Sequence, residues 1–176
     1  MKKAFIDMDG VLCDWFSEFK IRAELFYNKK IKLEDIKGYD MHNYIDLDSE
    51  EINSIFSSNQ FFKNLEPLKE AISGFNYISS LDLDVYIATK ADTPDAIYDK
   101  FMWVKNNLVY FDTRKIIFIS NKELLRGDII IDDCPMCLEN FKGTSVCFNQ
   151  PYNKNCNSDY RVNNWLKCSS LISKLV

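Results

Sequence analysis

Four carboxylates at two places in the chain could act as nucleophile, proton donor or metal ligands. Asp7 and Asp9 follow the first apolar run, and Asp132 and Asp133 follow a later one. If these side chains converge, their repulsion is large, because two unit charges about 4 Å apart repel by about 4 kcal/mol at an effective dielectric constant near 20. Either some carboxylates are protonated or a cation lies among them. Oxygen ligands select a hard cation, so the sequence predicts a Mg²⁺ site.

Two further polar residues that follow apolar runs suit a phosphate group. Thr89 offers a hydroxyl, and Lys122, in the segment 120–122, offers a positive charge. A carboxylate nucleophile, a hard metal ion, a lysine and a hydroxyl together describe phosphoryl transfer. Polar residues often follow strands without having any function in a site. Four strand ends of this composition nevertheless favour one common site.

The elements that must position these residues are short strands alternating with helices. Five apolar runs, rich in β-branched and aromatic residues, are typical of strands buried on both faces of a parallel sheet; they cover 4–6, 85–88, 116–119, 129–131 and 145–148. Helical periodicity covers 69–80, 95–108 and Trp165–Leu175, and the second helix is expected to bury Ile97, Phe101, Val104 and Leu108. This alternation predicts an α/β fold, a Rossmann-like parallel sheet with helices on both faces. Strand carboxyl ends meet at one edge of such a sheet, which would bring the polar residues together.

The segment 15–65 interrupts the alternation. It has no convincing strand and is expected to form helices at Trp15–Tyr27 and 49–57 around a polar loop, followed by Phe61 and Phe62. We predict that residues 1–14 and 66–176 form the α/β core. The segment 15–65 would then be a small helical cap, inserted after the first strand and lying over the site.

Composition and charge exclude several classes of partner. The chain has 176 residues, 47% of them hydrophobic, and a net charge of −4 without any basic run, so no nucleic-acid polymer is expected. No apolar stretch reaches the roughly 18 residues of a membrane span. Without an export signal, we expect a soluble cytoplasmic chain, no membrane partner and six reduced thiols.

Cys134 and Cys137 have C-x-x-C spacing but no second such pair, so packing is favoured over a zinc or redox site. His42, the sole histidine, is expected on the cap surface.

In order and spacing, these motifs resemble those of the haloacid dehalogenase (HAD) superfamily. Asp7–Val11 (DMDGV) is similar to its first motif, Thr89 to its second, Lys122 to its third and Asp132-Asp133 to its fourth. Within the superfamily the chain resembles the 5'(3')-deoxyribonucleotidases, and the residues that carry this likeness are Asp7–Asp14, Phe61-Phe62, Tyr86–Thr89 with Pro94, Asp99-Lys100 with Trp103, and Asn121-Lys122 through Asp133. Lys90 departs from the small residue typical after Thr89, and the tail beyond Tyr152 carries no recognised motif.

The resemblance implies a Mg²⁺-dependent phosphatase for (deoxy)nucleoside monophosphates. Asp7 would attack phosphorus to form an aspartyl-phosphate, and Asp9 would protonate the leaving oxygen and then activate water. Asp7, the main-chain carbonyl of Asp9 and Asp133 would hold Mg²⁺, with Asp132 as a neighbour or further ligand. Thr89 and Lys122 would bind the phosphoryl group. Phe61 and Phe62 would contact the base, and further aromatic candidates for this role are Trp15, Phe16 and Tyr44.

Several alternatives stay open at this stage. The substrate could be another small phosphate ester such as a sugar phosphate, or the chain could be an inactive HAD-like binding protein. A phospho-receiver module is disfavoured, because there the acidic pair comes first and no 50-residue insertion follows the first strand. The base, the sugar, the position of the phosphate and the oligomeric state, with a homodimer as one option, are left open.

Overall fold

Six strands pair in one parallel sheet in the computed structural model, which describes residues 1–176. The strand order is β3-β2-β1-β4-β5-β6, and each neighbouring pair is parallel. The strands are β1 (Lys2–Ile6), β2 (Leu83–Thr89), β3 (Ile116–Phe118), β4 (Ile129–Asp132), β5 (Thr144–Phe148) and β6 (Tyr160–Val162). The predicted α/β class, with its Rossmann-like parallel sheet, is confirmed.

Six α-helices accompany the sheet, and polar side chains begin most of them. They are α1 (Trp15–Tyr27), α2 (Ser49–Phe56), α3 (Ala71–Ser79), α4 (Pro94–Asn107), α5 (Pro135–Asn140) and α6 (Trp165–Leu175). Asp14 accepts a hydrogen bond from Ser17 N at the start of α1, and Asp48 and Glu51 form a capping box at α2. Thr93 and Pro94 begin α4 in the same way. None of the helices combines the length and the apolar character needed to cross a membrane.

The ends of the central strands lie side by side, which explains how distant motifs meet. In β1, Ile6 is in register with Ile87 of β2 and with Ile131 of β4. Asp7 extends the ladder by donating its backbone N–H to the Ile131 carbonyl at 2.9 Å. The residues that follow these positions therefore emerge at one edge, where the strand order reverses around β1.

Two strands differ from the expectation of strands buried on both faces. β6 was not predicted, because Tyr160 and Arg161 are exposed and only Val162 is buried, which leaves no apolar run to find. β3 is half-buried, since it lies at the edge of the sheet and has a single neighbour. An edge strand can be apolar in sequence without being covered on both faces.

The buried face of α4 also differs from the predicted one. Ile97 is exposed and Phe101 is half-buried, so the expectation that both enter the core was wrong. The buried positions include Asp99, Lys100 and Trp103 instead. The helix turns this face inward because Lys100 finds polar partners there, and because the Trp103 indole donates to the Leu65 carbonyl at 2.6 Å.

The segment 15–65 contains no strand. It holds α1, α2 and two short 3₁₀ turns, Leu33–Asp35 and Met41–Asn43. Its interior is an aromatic cluster, with ring centroids 4.8–6.3 Å apart, formed by Trp15, Phe16, Phe19, Phe56, Phe61 and Phe62. Helical content is thus as expected in this segment, while its division from the core as a cap domain stays a prediction.

Candidate active site

The loop after β1 turns sharply, and a glycine permits the turn. The amides of Val11, Leu12 and Cys13 all donate to the Met8 carbonyl, at 2.7–3.3 Å. Gly10 has φ +71°, and a Cβ there would collide with the carboxylate of Asp133. Glycine therefore lets the Asp7–Gly10 loop lie directly against the residues that follow β4.

Three of the four predicted carboxylates form one buried group. Oxygens of Asp7, Asp132 and Asp133 all lie within 4.8 Å of one another. Lys122 Nζ donates to Asp7 Oδ1 at 2.6 Å and to Asp132 Oδ2 at 2.7 Å. When ionised, three carboxylates and one ammonium leave a net charge of −2. An oxygen-only site with this deficit fits the hard donor set that Mg²⁺ prefers.

The pKa values in this group reflect burial and crowding. Burial raises the pKa of Asp132 to about 7, opposed by Lys122 and reinforced by Asp7. Burial also raises the pKa of Asp133 well above its usual range, with further contributions from Asp7 and Asp132. Burial alone would lower the pKa of Lys122, but Asp132 and Asp7 outweigh it and hold that pKa well above its usual value. The site is short of positive charge.

Asp9 lies apart from the three-carboxylate group and pairs with a second lysine. Lys100 Nζ donates to Asp9 Oδ2, to Thr89 Oγ1 at 3.1 Å and to the Lys90 carbonyl at 2.5 Å, and it lies 4.3 Å from the centroid of the Phe62 ring. Burial raises the pKa of Asp9, the Lys100 charge opposes this, and the charge of Asp7 adds to it.

Lys100 belongs to the pattern that carries the family likeness, but the sequence alone gave it no role. The lysine is only 1% exposed. One signal could have found it: Lys100 follows Ala96 by four positions and precedes Trp103 by three, which places it on the same helix face as both. A lysine on a buried face requires an anionic or carbonyl partner.

A second missed set comes from the chain after β5. The Tyr152 hydroxyl donates to Asp133 Oδ2 and accepts from Trp15 Nε1 at 3.3 Å. Asn153 Nδ2 donates to the Asp133 main-chain carbonyl at 2.8 Å. The polar segment 153–158 predicts a surface loop, which is wrong for Asn153 because it is 1% exposed. No local pattern marks these contacts, since each spans about twenty residues or more.

A cavity of about 660 Å³ opens above these groups. Its floor includes Asp7, Asp9, Lys100, Lys122, Asp132 and Asp133, and its walls include Trp15, Tyr39, Ile52, Asn53, Phe56, Phe62, Cys134, Met136, Cys137 and Tyr152. Pockets of this size accept ligands of nucleotide size. Mixed polar and aromatic walls suit a molecule with one charged end and one flat apolar end.

The predicted base-contacting aromatics are placed differently from one another. Phe62 and Trp15 line the cavity. Phe61 is fully buried against Phe62, with ring centroids 4.8 Å apart, and lies outside the lining, as does Phe16. Tyr44 is exposed and also lies outside the lining. Of the five candidates, only two have direct access to a ligand.

Comparison with known proteins finds one family across nearly the whole chain. The family model described as "5' nucleotidase, deoxy (Pyrimidine), cytosolic type C protein" matches residues 2–176. A 5'(3')-deoxyribonucleotidase of Clostridium acetobutylicum is 33% identical over 171 residues, covering 97% of this chain and 94% of the relative. One from Bacillus subtilis is 29% identical over 172 residues, covering 94% and 95%.

Solved structures support the same fold. A HAD family hydrolase from Deinococcus radiodurans, crystallised with bound phosphate and sodium, superposes with a TM-score of 0.66 at 8% identity, covering 99% of this chain and 96% of the other. The HAD hydrolase YfnB from Bacillus subtilis, solved bound to magnesium, gives 0.60 at 13% identity, covering 98% of each. At these identities the likeness concerns the fold alone.

Proposed function

The chain belongs to the cytosolic type C deoxy-5'-nucleotidase family of the HAD superfamily, and from this we propose that it is a phosphatase that hydrolyses nucleoside monophosphates, deoxyribonucleotides among them. One observation carries the proposal within this chain. Asp7, Lys122 and Asp133 meet on the floor of a cavity whose walls hold Phe62 and Trp15. Charged groups and flat apolar surfaces that line one cavity match a phosphate and a base.

Asp7 is the proposed nucleophile. Its Oδ1 accepts from Lys122, which leaves Oδ2 to attack phosphorus. The new Oδ2–P bond forms as the bond between phosphorus and the nucleoside oxygen breaks, giving an aspartyl-phosphate and a nucleoside. Water then attacks phosphorus, the Oδ2–P bond breaks and inorganic phosphate leaves. Lys122 stays beside the equatorial oxygens and stabilises their charge.

Asp9 is the proposed general acid and then base. Burial and the charge of Asp7 raise its pKa, so it holds a proton closer to neutral pH than an ordinary carboxyl. It gives this proton to the leaving nucleoside oxygen and takes one from the attacking water. Lys100 stabilises the carboxylate that exists between the two transfers. Thr89 stays the predicted second phosphate-binding residue: its hydroxyl accepts from the same ammonium, but the residue is fully buried and lies outside the cavity lining.

Mg²⁺ is the proposed cofactor, held by the carboxylates of Asp7, Asp132 and Asp133 and by the main-chain carbonyl of Asp9. The ion would neutralise negative charge on the phosphoryl oxygens. Asp132 has a second task, because it shares Lys122 with Asp7 and so fixes the ammonium between the two carboxylates.

We propose that the segment 15–65 acts as a cap over this site and sets specificity. Phe62 offers the face that a base would stack on, while Phe61 supports Phe62 from behind. Lys100 contacts both the Phe62 ring and the Asp9 carboxylate, so it joins the base end of the cavity to the phosphate end. The cytoplasmic location and a homodimer stay predictions.

Phosphate release from a panel of deoxyribo- and ribonucleoside monophosphates and sugar phosphates, with Mg²⁺ and with EDTA, tests the proposal. We expect release that needs the metal and favours deoxyribonucleotides. Release from sugar phosphates alone would support the proposed phosphatase reaction and refute the nucleotide as its substrate. No release from any compound would overturn the function and favour an inactive binding protein.

A further inference from the structure

A second metal-ligating group adjoins the three-carboxylate group and shares one residue with it. The sulfurs of Cys134 and Cys137 and a carboxylate oxygen of Asp132 all lie within 4.8 Å of one another. Cys134 precedes α5, Cys137 lies in its first turn, and both line the cavity. The C-x-x-C motif thus faces the site instead of packing away from it.

The donor chemistry of this group differs from that of its neighbour. Two thiolates and one carboxylate suit a borderline or soft ion such as Zn²⁺, whereas Mg²⁺ prefers oxygen alone. Tetrahedral Zn²⁺ with bonds of about 2.0–2.3 Å holds its donors roughly 3.3–3.8 Å apart. Donors already within 4.8 Å of one another reach that spacing by small side-chain movements.

Asp132 retains capacity for a metal ion. Its Oδ2 accepts from Lys122 at 2.7 Å and its Oδ1 accepts from Cys134 N at 2.9 Å, and each oxygen has a second lone pair. Tyr39 lines the same cavity as Cys134, and its hydroxyl or a water molecule could take the fourth position. Among the nearby charges, Asp7 and Asp133 attract a cation and Lys122 repels it, so the balance is attractive.

We propose that Cys134, Cys137 and Asp132 form a binding site for a Zn²⁺-class ion, and that occupation of this site inhibits the enzyme. Each thiol releases its proton to solvent when the ion binds. The ion draws Asp132 away from Lys122 and from the oxygen-only group. The affinity of that group for Mg²⁺ falls, and Lys122 loses one of the two carboxylates that position it. Inhibition rests on the function proposed above, whereas binding does not.

Cd²⁺, which gives an ultraviolet thiolate-to-metal charge-transfer band, is the probe for binding. The fully reduced full-length protein is titrated with Cd²⁺ in the absence of Mg²⁺, because Mg²⁺ would compete for the shared Asp132. Cd²⁺ bound by oxygen ligands alone gives no thiolate band. We expect one Cd²⁺ per chain with a thiolate band. Because loss of a mere outer-shell partner lowers metal affinity roughly 10–100-fold, Cys137→Ser and Cys134→Ser should each weaken Cd²⁺ binding by at least about tenfold.

The matched control is Cys156→Ala, which removes one sulfur from the other close cysteine pair, Cys147 and Cys156. This variant should keep the band and the affinity. No band in the unaltered protein, a full band in both serine variants, or loss of the band in Cys156→Ala would each overturn the site.

Phosphatase assays then test inhibition separately. We expect Zn²⁺ to inhibit the unaltered enzyme at concentrations that leave Cys137→Ser at its own uninhibited rate. Equal inhibition of both would overturn the inhibitory role even where the band is present. A protein that releases no phosphate from any substrate would refute the proposed function, and the Cd²⁺ band would still decide the site.

Discussion

Two buried lysines divide the carboxylates of the site between them. Lys122 contacts Asp7 and Asp132, and Lys100 contacts Asp9. This division matches the two proposed tasks, in which Asp7 is an ionised nucleophile and Asp9 gains and loses a proton. In general, two carboxyl groups take different roles because their surroundings shift their pKa values apart.

Removing either acid tests that division. We expect Asp7→Asn to abolish turnover and Asp9→Asn to leave at most a few percent, because an amide neither attacks phosphorus nor donates a proton of suitable acidity. Steady-state phosphate release is the measurement. Asp46→Asn, at an exposed position, is the matched control and should keep full activity. Substantial turnover in either site variant would refute the assignment.

Replacing Lys100 tests its link to Asp9. Lys100→Met should lower kcat by roughly 100–1,000-fold, the range for loss of one preorganised donor near the reacting groups. Lys100 lowers the pKa of Asp9, so its removal raises that pKa. A general acid works while protonated, so the alkaline limb of the kcat–pH profile should move to higher pH. Lys100→Arg keeps the charge and should not move the limb upward; an equal shift in both variants would point to packing.

The two neighbouring phenylalanines should respond differently to truncation. Phe62→Ala removes a cavity wall, so KM should rise for nucleotides and stay unchanged for small phosphate esters. Phe61→Ala leaves a hole in the interior, and the free energy of unfolding should fall by about 3–5 kcal/mol. Urea unfolding combined with KM for both substrate types separates these effects. A larger KM effect from Phe61→Ala than from Phe62→Ala would reverse the roles proposed here.

At the scale of elements, the chain after β5 supports the loops that carry the proposed catalytic residues. Gln150 Nε2 donates to the Gly10 carbonyl at 2.7 Å, and Trp165 Nε1 donates to the Val11 carbonyl at 2.7 Å. Tyr152 and Asn153 hold the side chain and the carbonyl of Asp133. The loops that follow β1 and β4 therefore rest on a segment that has no motif of its own.

Loss of the Tyr152 hydroxyl tests this support. Tyr152→Phe frees Asp133 Oδ2 from its only hydrogen-bond donor, and partners of this kind are worth roughly 10–100-fold in metal affinity. We expect weaker Mg²⁺ binding by calorimetry and a higher Mg²⁺ requirement, with kcat largely restored at saturating metal. Tyr160→Phe, on exposed β6, is the control. Unchanged metal affinity in Tyr152→Phe would show that the hydroxyl is dispensable.

The elements that the sequence predicts well are those encoded by local pattern. Strands with continuous apolar runs, such as β1 and β4, and the aspartates that follow them can be found because neighbours in sequence carry the signal. β6 cannot be predicted in this way, because two exposed residues precede its single buried Val162. The helix position of Lys100 indicates that it is buried, but not that its partner is the distant Asp9. The contacts of Tyr152 cannot be predicted, because one chain does not reveal which distant residues meet.

At the scale of the whole molecule, negative charge accumulates where the fold has little positive charge to offer. The chain carries a net charge of −4, and its site buries three carboxylates around one lysine. Crowding like charges in a buried place destabilises the folded state, which is the opposite of what packing alone would favour. Without a bound cation, the folded state is therefore less stable than packing alone would make it, and its site attracts a cation.

Thermal unfolding with and without Mg²⁺ measures this loss of stability. An ion that binds only the folded state at 100 times its dissociation constant adds about 2.7 kcal/mol, which for a chain of this length raises Tm by about 5–10 °C. In Asp133→Asn the buried charge is gone, so this variant should melt above the unaltered protein in EDTA, because ionised Asp133 is disfavoured in the fold. Its response to Mg²⁺ should be much smaller. A lower Tm in EDTA, or an undiminished response to Mg²⁺, would mean that Asp133 contributes more by packing than by charge.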